Sequence, residues 1–184
     1  MSYWILLSED VQMNNVLVTI GLCVKNCEKT IGATLDTIIN QDYPYNLMEI
    51  IVVDDGCKDS TIPIVIDKLE KIKIHARIFS TGGKGLGIAR QTVVDNALGR
   101  YIVWVDGDAT ISGDYISKQV EFMELHPYVG KARGKFGWIK TGKVLGDLHY
   151  LSYVYQQKRG VESKIAGIGC SICRIDAIRD AGGF

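Results

Sequence analysis

Residues 101–105 narrow the choice of fold more than any other stretch of this chain. Five consecutive β-formers, Tyr-Ile-Val-Trp-Val, leave no polar face. That is the pattern of a strand buried on both sides, and such strands sit inside parallel sheets. The run ends abruptly in Asp106, Gly107 and Asp108. In open α/β sheets, ligands bind beyond the carboxyl ends of the strands, so both carboxylates are expected at a binding edge. Residues two apart point the same way if extended geometry continues, and Gly107 is expected to let the backbone bend between them. Two hard oxygen donors so placed suit Mg²⁺ or Mn²⁺, above all an ion that also holds phosphates. An isolated Asp-x-Asp just as often ends a strand and solvates a turn, so its meaning depends on the rest of the chain.

The rest repeats the same unit. Residues 16–24 are apolar and β-rich, and residues 30–40 carry Ile31, Leu35, Ile38 and Ile39 on one helical face. Pro44 stops that helix. Residues 48–53 form a second buried run, ending in Asp54, Asp55 and Gly56. Asp59 or Ser60 can cap the helix that follows to about Lys71, with Pro63 tolerated in its first turn. A mixed strand over 73–79 belongs nearer a sheet edge. After the glycine-rich loop 81–87 comes a helix with Ala89, Val93 and Ala97 inward, which Gly99 is expected to end at its C-cap. Beyond the strand at 101–105, residues 114–125 form a helix with Ile116, Val120 and Met123 inward. The order β-α-β-α-β-α-β-α is that of a doubly wound α/β domain. A strand within 128–138, a helix over 147–159, a strand over 165–175 and a short helix over 176–181 complete the expectation. Residues 1–15 show no period and read as a loose leader to a single domain at 16–184.

Lys plus Arg and Asp plus Glu are both 21, so the net charge is zero and no nucleic-acid partner is implied. No apolar run is long enough to span a bilayer. Residues 1–12 contain Glu9 and Asp10 and no basic start, unlike a signal peptide. A cytoplasmic protein able to dock at the cytoplasmic face of a membrane is the expectation. Five cysteines make no disulfide framework. Cys170-Ser-Ile-Cys173 lies in a strand-like context and lacks zinc-ligand spacing, so it reads as a pair of buried structural thiols.

If the strands ending near Cys23, Asp54 and Asp106 are neighbours, their carboxyl ends meet in one crevice. Asp54 and Asp55 could then accept hydrogen bonds from a base or ribose. Asp106 and Asp108 could hold a metal and its pyrophosphate, and Lys84 and Arg90 could neutralise phosphates. The loop 82–87 lacks P-loop spacing and follows the third strand rather than the first, so no dinucleotide fingerprint applies.

At this point the residues resemble family 2 glycosyltransferases. The matching pieces are Cys23-Val-Lys-Asn26, Glu28, Ile31, Leu35, Ile38 and Gln41-Asp-Tyr-Pro44. They continue with Ile50-Ile-Val-Val-Asp-Asp-Gly-Cys-Lys-Asp-Ser-Thr61, Gly87-Ile-Ala-Arg90 and Ala97-Leu-Gly-Arg-Tyr-Ile-Val-Trp-Val-Asp-Gly-Asp108. Residues 167–174 and Gly182-Gly-Phe184 resemble the family's later donor–acceptor boundary. The resemblance implies a GT-A fold, Rossmann-like, with a mostly parallel sheet and helices on both faces. It implies a nucleotide-diphosphate-sugar donor carrying UDP or GDP, a glycan, lipid or protein acceptor, and Mn²⁺ or Mg²⁺. By the same resemblance Asp54 contacts the base, Cys23 lies near it, Asp106 faces the ribose side, Asp108 ligates the metal and Arg90 lines the donor pocket. Transfer would invert the anomeric centre in one displacement, with a carboxylate as base.

There are three departures from the family pattern. Cys57 replaces a serine, which is expected to weaken a turn hydrogen bond. Cys23-Val24-Lys25 replaces Pro-x-Tyr at the floor of the base pocket. The family's catalytic base follows Gly-Gly-Phe, so it is expected beyond Phe184, with Asp180 reading as surface. A nucleotide-sugar-binding module without turnover is therefore an alternative to the enzyme. The Asp-x-Asp-x-Thr at 106–110 also fits haloacid-dehalogenase-like phosphatases, but their motif lies on the first strand. A receiver-type switch would need an acidic pair after the first strand, and residues 23–27 have none.

Overall fold

The computed structural model describes residues 4–6, 15–134 and 169–184. Strands β1 (Trp4–Leu6), β2 (Val18–Val24), β3 (Met48–Asp54), β4 (His75–Ser80), β5 (Tyr101–Trp104), β6 (Lys131–Arg133) and β7 (Ser171–Arg174) share one sheet. Their order is β1-β4-β3-β2-β5-β7-β6. The helices are α1 (Ile31–Ile39), α2 (Thr61–Leu69), α3 (Leu86–Asn96), α4 (Tyr115–Leu125) and α5 (Ile175–Asp180). The helix expected over 147–159 lies outside the described residues.

The four central strands β4, β3, β2 and β5 are parallel. β1 and β7 pair antiparallel with β4 and β5, and β6 pairs antiparallel with β7. From β2 the chain steps outward through β3 to β4, then returns to lay β5 on the other side of β2. The winding therefore reverses between β2 and β5, and their carboxyl ends flank the crevice that such a reversal opens.

Alternation along the strands divides the core into two faces. Val18, Ile20, Leu22 and Val24 of β2, with Met48, Ile50 and Val52 of β3, pack with Leu35 and Ile38 of α1, Val65 and Leu69 of α2, and Ile116, Val120 and Met123 of α4. Ile51, Val53, Ile102 and Trp104 point the other way, onto Ala89, Val93 and Val94 of α3 and Ile175 of α5. Helices on both faces explain why these strands carry no polar side. Strand β4 lies next to the edge, as its mixed pattern predicts, and is covered by β1. That short strand falls within the stretch read as a leader, where three residues are too few to show a period.

Two glycines act differently from the sequence reading. Helix α3 ends at Asn96 with an extended C-cap at Ala97, so Gly99 is not the cap. A Cβ at Gly99 would lie 2.5 Å from the Thr19 backbone nitrogen. Close passage against β2 is what requires glycine there. Helix α5, in contrast, does end at a Gly182-Gly183 stop, one residue past the helix expected over 176–181. Gly182 has φ 94, its N–H donates to the Arg179 carbonyl (3.0 Å), and the Gly183 N–H donates to that of Ile178 (3.0 Å), a Schellman arrangement. Cys170 and Cys173 are buried free thiols, as expected.

Gln41 joins the end of α1 to the start of α4. Its amide donates to the Thr37 and Ser112 carbonyls (2.9 and 2.7 Å) and accepts from the Ile116 N–H (3.0 Å). The side chain is buried, so Gln41→Ala strands these groups. A loss of about 2–3 kcal/mol is expected in urea unfolding; a loss below about 0.5 kcal/mol would show that the bonds are dispensable.

Candidate active site

The parallel register brings the chemistry-bearing residues to one edge. Cys23 lies opposite Val53, Val24 opposite Asp54, and Asp54 opposite Ser80. The Asp55 N–H donates to the Val24 carbonyl (2.9 Å) and the Val105 N–H to that of Gly21 (3.1 Å). Thus the ends of β2, β3, β4 and β5 stand side by side at the reversal.

The loops after β2 and β3 are stitched together. Asn26, held at φ 50, accepts at Oδ1 from the Lys58 N–H (2.8 Å). The Cys27 N–H donates to Thr61 Oγ1 (2.8 Å). The Glu28 N–H donates to Asp59 Oδ2 (3.1 Å), and the Ser60 N–H returns a bond to Glu28 Oε2 (3.0 Å). Hydrogen bonds, led by that from Thr61, hold Asp59 below its ordinary carboxylate range. Cys57 keeps part of what a serine would supply. Its sulfur accepts from the Asn26 N–H at 3.4 Å and donates to the Val24 carbonyl at 3.6 Å, both long bonds to a weak partner.

The two adjacent aspartates divide their work. Asp54 is buried, and its Oδ1 accepts from the Gly56 and Cys57 N–H groups (3.0 and 2.7 Å), forming the turn after β3. Asp55 is also buried. Its Oδ1 accepts from Thr81 Oγ1 (2.7 Å) and from the Gly85 N–H (2.8 Å), while Oδ2 faces the half-exposed Lys25 ammonium at 3.5 Å. Burial pushes the Asp55 carboxyl upward, but the Thr81 and Gly85 bonds and the Lys25 charge outweigh it and leave it low.

Asp106 and Asp108 are placed differently from the expectation. Strand β5 stops at Trp104, and residues 107–108 form a turn closed by the Ala109 N–H donating to the Asp106 carbonyl (3.0 Å). The extended i, i+2 geometry does not continue. Gly107 has no left-handed φ; it is small because a Cβ would lie 2.8 Å from Cys27 Sγ. Thr30 Oγ1 donates to the Gly107 carbonyl (2.9 Å), fixing this turn to the start of α1. Gly169 lies against Asp106, where a Cβ would collide with Oδ2. Burial, then the neighbouring Asp108 charge, raises the Asp106 carboxyl, against the pull of Arg90 and Arg133.

Arg90 and Cys23 join this group. Burial pushes the Cys23 thiol up to about 12, and the charges that act on it are Arg90, Asp106 and Asp55. A thiol so raised is a poor nucleophile. Arg90 lies over the Phe184 ring at 5.8 Å, and that ring meets Trp104 edge-on at 5.5 Å. The Phe184 N–H donates to Gln91 Oε1 (2.8 Å). Lys84 is exposed on the glycine loop, and no ion pair among the described residues joins it to the acidic group. Asp180 is exposed on α5, as expected of a surface residue.

Sequence reading missed Lys25, Thr30, Thr81 and Gly169 as parts of this site. Only Lys25 carried a signal, as the departure from Pro-x-Tyr. The others act through contacts with residues far away in the chain.

Among the described residues, no three His, Cys, Asp or Glu side chains converge as a metal cage. A carboxylate pair such as Asp106 and Asp108 would suit a hard divalent cation that completes its shell with phosphate and water oxygens, and the Asp108 charge that raises Asp106 is one that such a cation would offset.

A twisted, mostly parallel sheet covered on both faces, with an acidic turn at its reversal point, is the GT-A fold of nucleotide-sugar transferases. The model of glycosyl transferase family 2 matches residues 19–182, and the chain belongs to that family. Among curated relatives, an uncharacterized glycosyltransferase of Haemophilus influenzae is 32% identical over 111 residues, 60% of this chain and 44% of its own length. The WfgD β-1,3-glucosyltransferase of Escherichia coli is 28% identical over 167 residues, 89% of this chain and 62% of its own. Among solved structures, the mannosyltransferase PcManGT of Pyrobaculum calidifontis superposes with a TM-score of 0.70 at 24% identity, covering 92% of this chain and 48% of that one. Residues 1–349 of Staphylococcus aureus TarS give 0.68 at 20%, covering 91% and 49%. The chain thus spans less than two thirds of each. No described helix is long and apolar enough to cross a membrane.

Proposed function

We propose that this chain carries the donor site of an inverting, metal-dependent glycosyltransferase that uses a UDP- or GDP-sugar. The observation that carries the reading is the convergence of Asp55, Arg90 and the Asp106–Asp108 turn at the reversal between β2 and β5. Relatives support the donor class. TarS structures contain UDP and UDP-GlcNAc, and PcManGT was solved with GDP-Man and Mn²⁺. The WfaP relative of Escherichia coli is named for transfer from UDP-Glc to a diphosphoundecaprenol-linked sugar, which favours a lipid-linked or other envelope glycan acceptor here.

In this reading Asp55, rather than Asp54, meets the base. Asp54 Oδ1 is committed to its own turn, whereas Asp55 Oδ2 faces the reachable Lys25. Asp55 Oδ2 accepts a base N–H, Lys25 donates to a base carbonyl, and Cys23 forms the adjoining wall. Asp106 and Asp108 hold Mn²⁺ or Mg²⁺. That ion, when bound, offsets charge on the departing diphosphate. Arg90 adds a fixed positive charge on the same side. Neither Asp106 nor Asp108 serves as base. In the resembling family the base that takes the acceptor proton follows the Gly-Gly-Phe segment, and here Phe184 is held beside Arg90 and Gln91.

Calorimetry with UDP, GDP, CDP and ADP, each with Mn²⁺ or with chelator, tests this. UDP or GDP is expected to bind only with the metal. Failure of every diphosphate to bind, or equal binding in chelator, would overturn the donor-site reading.

A further inference from the structure

We propose that Asp55 is also a positioning residue. Through Oδ1 it sets the glycine loop 81–87, and with it the start of α3 and Arg90. This inference rests on the donor-site reading for its consequence, but the geometry that carries it is independent of any ligand. Three of the loop's glycines, Gly82, Gly83 and Gly85, have φ of 66, 85 and 100, so local backbone preference does little to fix the loop. Helix α3 starts after Gly85 without a side-chain cap.

What fixes the loop comes from β3. One buried carboxylate oxygen receives both the Thr81 hydroxyl, at the loop's first residue, and the Gly85 N–H, at the helix's N-cap. These two points bracket Gly82, Gly83 and Lys84. Between them, the backbones of the β3 turn and the loop touch. A Cβ at Gly56 would lie 3.1 Å from the Gly83 Cα, so no side chain separates the two segments. Thr81 is held from a second side, its N–H donating to the Asp54 carbonyl (3.0 Å).

The charge on Asp55 matters for the same reason. Bonds to an ionised acceptor are roughly twice as strong as neutral ones, and Lys25 holds the other oxygen at 3.5 Å. The carboxylate is thus oriented, with one oxygen toward the loop and one toward Lys25 and the crevice. Arg90 follows the N-cap by five residues, within the first turns of α3. Its placement beside Asp106 and Phe184 depends on where the helix begins. Substitution of Asp55 therefore acts on diphosphate binding at Arg90 as well as on any base contact.

Hydrogen exchange of the loop amides separates this role from direct ligand contact, because it is read without ligand. In Asp55→Ala the Gly85 amide is expected to exchange at least about tenfold faster than in the unchanged protein. In Asp55→Asn, which keeps one oxygen for both donors but loses the charge, exchange is expected to fall between the two. Thr81→Val removes one bond and leaves Asp55 in place. It is expected to loosen the loop and to weaken UDP or GDP binding in Mn²⁺ by about threefold to tenfold, although Thr81 touches no donor in the proposed reading. Unchanged exchange at residues 82–85 in both Asp55→Ala and Thr81→Val would overturn the proposal. If the exchange results hold while no diphosphate binds the unchanged protein, the positioning role stands and the donor-site reading falls.

Discussion

Asp108→Ala is expected to remove the metal dependence of nucleotide binding. Affinity for UDP or GDP in Mn²⁺ should fall at least about hundredfold and match the value in chelator. Partners that merely orient a metal's ligands cost about 10–100-fold in metal affinity when removed, and a ligand itself should cost no less. Because no third acidic or imidazole side chain converges there among the described residues, the remaining Asp106 is a single anchor for the ion. Asp106→Asn keeps an oxygen but loses charge, and should fall between. Acidification has a defined sign. Metal binding requires ionised carboxylates, and Asp106 is raised by burial and by Asp108, so protons should begin to compete above the usual carboxylate range. Retention of Mn²⁺-dependent binding by Asp108→Ala would refute the assignment of this turn.

Much of the fold was legible because it is written in local periods. The runs at β2, β3 and β5 have no polar side because helices cover both faces of the sheet, and each intervening helix shows its own apolar stripe. The acidic endings of β3 and β5 marked the carboxyl edge of the sheet, where the ends of β2, β3 and β5 lie side by side. What was not legible depends on contacts distant in sequence. The antiparallel β7 enters between β5 and β6, and nothing within Ser171–Arg174 states its direction. The division of labour between Asp54 and Asp55 is set by Gly56, Cys57, Thr81 and Gly85; two adjacent aspartates read alike until their partners are known. Gly99 reads as a helix C-cap and Gly107 as a backbone bend, yet each is small because another segment passes against it. The strand-end geometry of Asp106 and Asp108 was inferred from period 2, whereas a turn supersedes that period one residue after β5.

Glu49→Ala is expected to be the most destabilising single change in the described chain, at about 3–5 kcal/mol in urea unfolding. The residue interrupts the apolar run of β3 and is fully buried. Glu49 Oε1 accepts from Thr19 Oγ1 (2.6 Å) and from the Leu98 N–H (2.7 Å), and Oε2 pairs with Arg77 Nη2 (2.6 Å). Thr19 Oγ1 in turn accepts from the Gly99 N–H (3.0 Å), and Arg77 Nη2 also donates to the Asn96 carbonyl (2.6 Å). The carboxylate therefore ties β2, β3 and β4 to the link between α3 and β5. Removing one partner of a buried pair leaves the other charge uncompensated, which costs about 3–5 kcal/mol out of a total that is commonly about 5–15 kcal/mol. Glu49→Gln keeps the acceptor for Thr19 and Leu98 and should cost about half as much. Arg77→Ala added to Glu49→Ala should cost less than the sum of the two, because the groups share one network. The same change should leave the donor site intact. Glu49 and Asp54 are five residues apart in an extended strand, about 17 Å at 3.3 Å per residue, so the network lies at the opposite edge of the sheet from the crevice. Below the unfolding transition, Glu49→Ala should bind UDP or GDP with the affinity of the unchanged protein. A loss below about 1 kcal/mol would mean the charge is better hydrated than its burial implies, and altered nucleotide affinity in the folded state would mean the two edges are coupled.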